Sequence, residues 1–255
     1  MQTSWSASVK VDLKQFCKDY DAVVVVVSRD RADTLAEKTD LLFTDYVLAY
    51  SGEGYEDHDY HCSERIEVPR GLQGLSLVRN YILDLLPQNV VLFVDDDLHM
   101  VYWVASSLSI RMDREGIKLA VMDLIVHALD QKVAAFGMSP LDIRKSSPLN
   151  PFALRAVFGT VIGVVGREHR FDERNILKTD YDFCLMTLKS HRTVHLDMRY
   201  FARASKDMGG GGNMPFRTNE RRKREIENLV RWWGSDLVIP SSNKSNESLS
   251  IRLEN

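Results

Sequence analysis

The stretch that decides the fold is VVLFVDDDLHM, residues 90–100. Five apolar residues lead directly into three consecutive aspartates, Asp95, Asp96 and Asp97. The short apolar run predicts a buried strand. The three carboxylates at its end repel one another unless a positive charge lies beside them. The sequence therefore predicts a strand that ends at a charged site.

Strand patterns and helix patterns alternate upstream of this stretch. Strands are predicted at 22–28 and 45–50, helices at 13–20, 31–40 and 74–87, and a polar loop at 51–64. Repeated strand–helix units with short connections predict an α/β fold with a mostly parallel central sheet flanked by helices. Ligands of such sheets bind beyond the carboxyl ends of the strands. The aspartates lie at such an end, and so do Ser28, Arg29 and Arg31.

The downstream half is less regular. Helices are predicted at 113–132, 179–192 and 218–233, strands at 133–138, 156–167 and 193–204, and a proline-containing loop at 139–155. Gly159 and Gly163 interrupt one of these strands, which indicates close approach of a ligand or another backbone. The Ser/Asn-rich residues 239–255 read as a loose tail.

Composition narrows the class of protein. The chain has 255 residues, 44% of them hydrophobic, and a formal charge of −3, which does not indicate nucleic-acid binding by the chain as a whole. Its three widely spaced cysteines indicate neither a disulfide framework nor a zinc site and fit a reducing cytoplasm. The sequence indicates no signal peptide and contains no apolar stretch of the roughly 20 residues that a membrane-spanning helix needs. We therefore expect a soluble cytoplasmic protein that does not bind membranes.

The aspartate triplet is the strongest chemical signal. Carboxylates are hard oxygen ligands suited to Mg²⁺ or Mn²⁺, ions whose coordination is often completed by substrate phosphates. The predicted positive charge is therefore a divalent ion that carries a diphosphate. In the alternative interpretation, one aspartate caps a turn and the other two are solvated.

Two arginine-containing segments are candidates for phosphate binding. Arg29 and Arg31 follow the first strand, and arginine matches phosphate oxygens, although Arg29 pairing with Asp30 on the surface is an equal alternative. Neither a GxGxxG motif nor a P-loop is present. Arg79 lies in an otherwise apolar helix and must face the crevice or form a buried ion pair, for which Asp84 and Asp45 are candidate partners.

Asp180 and Asp182, in TDYDF, are candidates for a general base that accepts a proton from an acceptor hydroxyl. The alternative is structural, because Thr179 followed three residues later by Asp182 has the spacing of a capping box.

The glycine run 209–212 predicts either a loop that closes over a phosphate or a hinge. The helical segment that follows, 217–231, carries six basic and three acidic residues. It is either a contact for a nucleic-acid backbone or an exposed helix with internal ion pairs.

Four segments in order, SRDRADTL, LSLVRNYIL, VVLFVDDD and FDERNILKTDYDF, resemble the nucleotide-sugar glycosyltransferases of the GT-A fold. Within that fold the chain is most similar to the TET-associated glycosyltransferases, relatives of the base J glucosyltransferase found largely in bacteriophages. The resemblance spans about residues 20–235. It implies one GT-A-like domain over 1–238, with a nucleotide-sugar half at about 20–105 and an acceptor half at about 106–238, and a location in the cytoplasm of an infected host.

The resemblance also implies a role for each candidate residue. Contacts to a nucleotide sugar such as UDP-glucose would come from Ser28, Arg29, Arg31, Arg79, Asp95 and Asp96. The divalent metal, Mn²⁺ or Mg²⁺, would be bound by Asp95 and Asp97 as a DxD motif, with Asp96 and Asp97 as the alternative register. The base would be Asp180 or Asp182. The expected acceptor is hydroxymethylated DNA, mainly at 5-hydroxymethylcytosine, held by Lys206, Gly210, Arg221, Arg222 and Arg224.

Two further function classes are compatible with the residues. Clustered aspartates also suit a metal-dependent phosphohydrolase or nuclease, which needs no sugar donor. A non-catalytic domain that retains the fold for binding is the other.

Overall fold

The structure is a computed structural model that describes residues 12–105, 108–140, 151–154, 156–205, 211–240 and 249–251. The helices within these ranges are α1 (Leu13–Asp19), α2 (Ala32–Glu37), α3 (Leu75–Leu85), α4 (Arg114–Asp130), α5 (Thr179–His191) and α6 (Asn219–Trp233). The strands are β1 (Ala22–Arg29), β2 (Tyr46–Ser51), β3 (Cys62–Glu67), β4 (Val90–Asp95), β5 (Leu98–Ala105), β6 (Leu108–Arg111), β7 (Ala135–Ser139), β8 (Phe152–Ala153), β9 (Val161–Val165), β10 (His195–Ala204), β11 (Val238–Pro240) and β12 (Leu249–Ile251).

One large sheet runs through both halves of the chain in the order β3-β2-β1-β4-β9-β7-β10-β5-β6, with β8 paired to β10. The strands β1 to β4 are mutually parallel, and β7 and β10 run in the same direction. The strands β5, β8 and β9 are antiparallel to them. The predicted fold class, α/β with a mostly parallel central sheet flanked by helices, is confirmed.

Helices cover both faces of the sheet, and the sheet separates two apolar cores. Val24 and Val26 of β1 pack with α1, α2 and α4 on one face. Val25, which points the other way, packs with α3 and α5 on the opposite face. Because alternate side chains of a strand point to opposite faces, β1 needs apolar residues at nearly every position. This explains why its sequence is a continuous valine run.

The register of the central strands brings the candidate residues together. Val27 of β1 is aligned with Asp95 of β4, and Arg29 is aligned with Ser51 of β2. Both parallel pairs therefore end at the same edge of the sheet. The segment after β1 and the aspartates after β4 face one crevice there, as the sequence predicts.

The structure differs from the sequence predictions at several elements. The predicted loop 51–64 contains the start of β3, an edge strand, and β5 and β6 form an antiparallel pair that the sequence does not predict. Gly163 makes room for the ring of Phe136 rather than for a ligand or backbone, because a Cβ there would lie 2.1 Å from that ring. In the predicted tail, Leu249–Ile251 pair with β11.

The side-chain cap predicted for α1 is confirmed, whereas the capping box considered for α5 is not formed. Asp12 caps α1 by accepting a hydrogen bond from the Gln15 amide at 2.9 Å, as predicted. The N-cap of α5 is Lys178, so the Thr179–Asp182 spacing is not a capping box. Thr218 caps α6 through the Arg221 amide. No helix among the described residues combines the length and the apolarity needed to cross a bilayer.

Candidate active site

A cleft lies at the carboxyl end of β1, β2 and β4. Its lining combines apolar side chains with the aspartates and basic side chains. The apolar lining residues are Val27, Ala49, Val68, Leu72, Leu75 and Val78. The polar lining residues are Ser28, Arg29, Arg31, Ser51, Asp95, Asp96, Asp97, Asn213 and Arg217. Of the predicted donor-binding and catalytic residues, Ser28, Arg29, Arg31 and the three aspartates 95–97 line this cleft, whereas Arg79, Asp180 and Asp182 are not in its lining.

Asp96 is a structural member of the triplet. Its side chain is 7% exposed, and both of its oxygens accept hydrogen bonds. Ser28 donates its hydroxyl to Oδ2 at 2.7 Å, and Arg31 donates to Oδ1 at 3.2 Å. The Ser28 hydroxyl also lies 2.7 Å from the Tyr55 hydroxyl, so the site continues into a buried polar network. With its oxygens occupied, Asp96 fits the role of an anchor better than that of a metal ligand.

Asp95 faces the cleft above a buried arginine. Its side chain is 31% exposed, and Arg79, which is 2% exposed, donates to Oδ1 at 3.4 Å. The Arg79 guanidinium lies against the rings of Phe93 and Phe171. The two predicted partners of Arg79, Asp84 and Asp45, are both wrong. Arg79 lies beneath the aspartates rather than in the cleft lining, so a direct contact to a nucleotide is not what its position favours.

Asp97 is the second carboxylate open to the cleft. Its side chain is 21% exposed, and Oδ2 lies 3.5 Å from the guanidinium of Arg31. Arg217, an exposed residue just before α6, lies close enough for its charge to lower the pKa of Asp97, although burial raises that pKa overall. Asp97 therefore has two basic neighbours and keeps part of its surface free.

Burial raises the pKa values of all three aspartates, and repulsion between carboxylates adds to the rise for Asp95 and Asp96. Burial, together with the charges of Asp97 and Asp96, raises the pKa of Asp95 to about 7 against the opposing charge of Arg79. Burial likewise raises the pKa of Asp96 to about 6. A bound cation would relieve this repulsion.

The donor set fits a divalent cation of the magnesium type. Asp95 and Asp97 offer two partly exposed carboxylates at one edge of the cleft. No group of three or more histidine, cysteine or acidic side chains within the described ranges forms a metal site on its own. Mg²⁺ and Mn²⁺ are commonly bound by one or two carboxylates plus waters and substrate phosphates. Two open carboxylates without a complete protein cage match that pattern.

Arg29 and the glycine segment shape the rim of the cleft. Arg29 donates to the carbonyl oxygen of Leu72 at 3.1 Å, and its predicted pairing with Asp30 is also present at 3.7 Å. Gly211 has a φ of +87°, and a Cβ there would lie 2.4 Å from the carbonyl oxygen of Asp30. Gly212 donates its amide to the carbonyl oxygen of Arg29 at 2.7 Å. The segment 211–213 therefore packs directly on the end of β1.

The two candidate bases are placed very differently. Asp180 lies near the triplet, because its charge raises the pKa of Asp95 and is felt by Arg79. Burial raises the pKa of Asp180 itself. Asp182 is 1% exposed and accepts hydrogen bonds from Trp233 Nε1 at 2.6 Å and from Asn175 at 3.2 Å. Asp182 therefore joins α5 to α6, and its two hydrogen bonds make it the less suitable of the two candidate bases.

Three of the five predicted acceptor-binding residues lie within the described part of the chain. Arg224 is exposed, Arg221 is half-buried with its guanidinium 5.5 Å from the centre of the Phe216 ring, and Arg222 is half-buried. All three belong to the first turns of α6, which begins two residues after the cleft residue Arg217. Lys206 and Gly210 lie outside the described residues.

Sequence reasoning missed three contributors to the site. Tyr55 lies in a segment predicted as loop and is fully buried beside Ser28. In the sequence, Arg217 is one of six basic residues of the segment 217–231, and Asn213 belongs to no motif. An aromatic residue inside a glycine-containing polar loop was the available signal for Tyr55, since large aromatics in loops are often buried anchors.

Comparison with known proteins gives similarity of fold. No protein-family model and no curated protein matches the chain. A solved structure described as a mycobacterial protein has a TM-score of 0.51 at 14% identity, covering 98% of this chain and 87% of that one. The Pyrobaculum calidifontis mannosyltransferase PcManGT, in complex with GDP-Man and Mn²⁺, has a TM-score of 0.49 at 17% identity, covering 82% and 62%. S. aureus TarS 1-349, in complex with UDP-GlcNAc, has a TM-score of 0.42 at 12% identity, covering 82% and 66%.

The chain thus spans less than two thirds of the length of the latter two proteins. Identities this low show similarity of fold alone. The similarity to the mycobacterial protein extends over nearly the whole chain.

Proposed function

We propose that this chain is a metal-dependent glycosyltransferase that uses a nucleotide-sugar donor, with UDP-glucose as the type we expect. One observation carries the proposal. Asp95 and Asp97 present two partly exposed carboxylates at the end of β4, in a cleft lined by apolar side chains and by arginines. That combination suits a nucleobase, a diphosphate and a divalent cation together.

The residues that line the cleft indicate how the donor would bind. The apolar lining residues, which include Val27 and Val78, fit the flat face of a base. Arg31 and Arg217 flank Asp97 and fit the negative charge of a diphosphate. Asp95 and Asp97 would hold the Mn²⁺ or Mg²⁺. When bound, the cation supplies charge neutralisation for the leaving diphosphate.

The transfer step assigns a proton role to Asp180. The acceptor oxygen forms a bond to the anomeric carbon of the sugar, and the bond from that carbon to the diphosphate oxygen breaks. The electron pair of the broken bond leaves with the diphosphate. The carboxylate of Asp180 accepts the hydroxyl proton, and the raised pKa that burial gives it strengthens it as a base.

The acceptor we propose is a hydroxymethylated pyrimidine in DNA, with 5-hydroxymethylcytosine foremost. This choice comes from the sequence resemblance to the TET-associated glycosyltransferases. The structural support is the position of Arg221 and Arg224, on the part of α6 next to the cleft, where they could meet a phosphate backbone. A base within a duplex would have to be flipped out to reach Asp180.

The test is nucleoside mass spectrometry of DNA that contains hydroxymethylcytosine, after incubation with the protein, Mn²⁺ and a panel of nucleotide sugars. We expect a mass gain of one sugar on the modified base that disappears when EDTA replaces Mn²⁺. DNA with unmodified cytosine is the matched acceptor control. Release of UDP without a change in the DNA would retain the transferase and reject the DNA acceptor.

Two results would reject the proposal as a whole. Cleavage of DNA or of phosphate esters without any use of a nucleotide sugar would show the hydrolase class. Absence of both donor turnover and donor binding in a folded protein would leave a binding domain.

A further inference from the structure

Helix α6 holds the start of α5 through a buried carboxylate. Glu225 is 3% exposed although it lies in the most highly charged segment of the chain. Its Oε2 accepts hydrogen bonds from the amides of Leu177 at 2.8 Å and Lys178 at 3.0 Å, and its Oε1 accepts from the amide of Ile176 at 3.2 Å. One side chain therefore binds three successive backbone amides.

The three amide hydrogen bonds compensate for the burial of the Glu225 carboxylate. A buried carboxylate without partners is strongly unfavourable, and hydrogen bonds from several amides offset that cost. The same bonds fix the backbone of the three residues that lead into α5, the last of which is its N-cap Lys178. Glu225 thus determines where the helix begins and how its first turn is oriented.

The proposed base belongs to that first turn. Asp180 is the second residue of α5 and follows the last Glu225-bound amide by two positions. On its other side, Asp182 accepts a hydrogen bond from Trp233 of the same helix α6. Asp180 is therefore held between two contacts that both come from α6.

We infer that Glu225 is a positioning residue, which holds Asp180 at the reaction centre by fixing the backbone of residues 176–178. The inference rests on the proposed function, in which Asp180 takes the acceptor proton. It also gives α6 a second role, since the same helix carries the basic residues proposed to contact the acceptor.

The experiment compares Glu225→Gln with the matched control Glu227→Gln, which changes a 63% exposed glutamate of the same helix. Glutamine keeps the size of Glu225 but offers one acceptor oxygen and an NH₂ group that cannot accept from the amides. Steady-state kinetics would give kcat and the donor KM for each protein, and UDP binding in Mn²⁺ would verify that the donor cleft is intact.

We expect Glu225→Gln to lower kcat about 10- to 100-fold, because a small misplacement of a reacting group has effects of that size. The donor KM should stay within about twofold, because the three amides that Glu225 binds belong to residues 176–178, which are not among the residues that line the cleft. Glu227→Gln should behave as the wild type. In the Asp180→Asn background, Glu225→Gln should lower the residual kcat by less than about twofold, because it acts through Asp180.

A second variant covers a failure to fold. Glu225→Asp retains the carboxylate at shorter reach, and we expect a kcat between those of the wild type and of Glu225→Gln. An unchanged kcat in Glu225→Gln, a donor KM that rises as much as kcat falls, or full additivity with Asp180→Asn would each overturn the inference. If the wild type turns over no donor, the proposed function fails and the inference fails with it, whereas an active wild type with an unaffected Glu225→Gln overturns the inference alone.

Discussion

Two of the three consecutive aspartates, Asp96 and Asp97, should respond to amide substitution in opposite ways. In Asp96→Asn, the buried carboxylate that accepts from Ser28 and Arg31 is replaced by a group with one acceptor oxygen and an NH₂ that opposes those donors. The Arg31 side chain, 12% exposed, loses the counter-charge that lies 3.2 Å away. In Asp97→Asn, a partly exposed carboxylate is neutralised beside two like charges.

The magnitudes follow from burial. Removing one partner of a buried ion pair destabilises a protein by about 3–5 kcal/mol, and the lower end applies because Arg31 keeps contact with Asp97. A loss of about 3 kcal/mol corresponds to a fall in Tm of about 6–12 °C for a domain of this size. For Asp97→Asn, the lost contact to Arg31 and the relieved repulsion nearly cancel, and we expect a change within about 1 kcal/mol.

The assay pairs thermal unfolding with Mn²⁺-dependent donor turnover. Asp96→Asn should lower Tm by the stated amount, and Asp97→Asn should leave Tm nearly unchanged while reducing turnover more than about 100-fold. The reasoning would be refuted if Asp96→Asn melted like the wild type, or if Asp97→Asn retained full turnover.

Three further predictions concern other contacts. Trp233→Phe removes the N–H donor to the buried Asp182 and should lower the free energy of unfolding in urea by about 1–3 kcal/mol, whereas Trp103→Phe at an exposed position should change it by less than about 0.5 kcal/mol; equal effects would contradict the assigned role of Asp182. Gly211→Ala places a Cβ 2.4 Å from the carbonyl oxygen of Asp30 at a φ of +87° and should raise the donor KM about tenfold or more, while Gly234→Ala, with a similar φ of +90° and open space, should leave it unchanged. Burial lowers the pKa of His169 to about 4, so the folded state binds fewer protons than the unfolded state between about pH 4 and 6.5, and stability falls as the pH is lowered through that range. Relative to His169→Gln, the wild type should lose about 2 kcal/mol more between pH 7 and pH 5 in urea unfolding, and a parallel pH profile of the two proteins would reject this.

The central part of the fold could be predicted from sequence because its signals are local. The valine run of β1 and the apolar run of β4 favour buried strands, and the charges that follow β4 mark the edge of the sheet where the cleft lies. The cap at Asp12 was readable for the same reason, since donor and acceptor are three residues apart.

Other elements could not be predicted because long-range contacts determine them. The strand β3 lies at the sheet edge and carries mainly exposed polar residues, so its sequence lacks an apolar alternation. The antiparallel pair of β5 and β6 follows Asp97 without a glycine or proline between its strands. Arg79 pairs with Asp95 rather than with its predicted partners because α3 packs against β4.

The division of roles within the site was likewise hidden in the sequence. The sequence does not distinguish the three aspartates from one another. The hydrogen bonds from Ser28 and Arg31 in the structure identify Asp96 as the anchored one. Glu225 reads as one more charge on a charged helix. Its burial depends on the packing of α6 against residues 176–178, which are 47 to 49 positions away along the chain.

The most direct test of the central claim is a crystal structure of the protein with UDP and Mn²⁺. The account predicts the diphosphate in the cleft between β1 and the segment 211–217, with the cation bound by the carboxylates of Asp95 and Asp97 and with Asp96 still hydrogen-bonded to Ser28 and Arg31. Nucleotide bound outside this cleft, or a cation that contacts neither Asp95 nor Asp97, would contradict it.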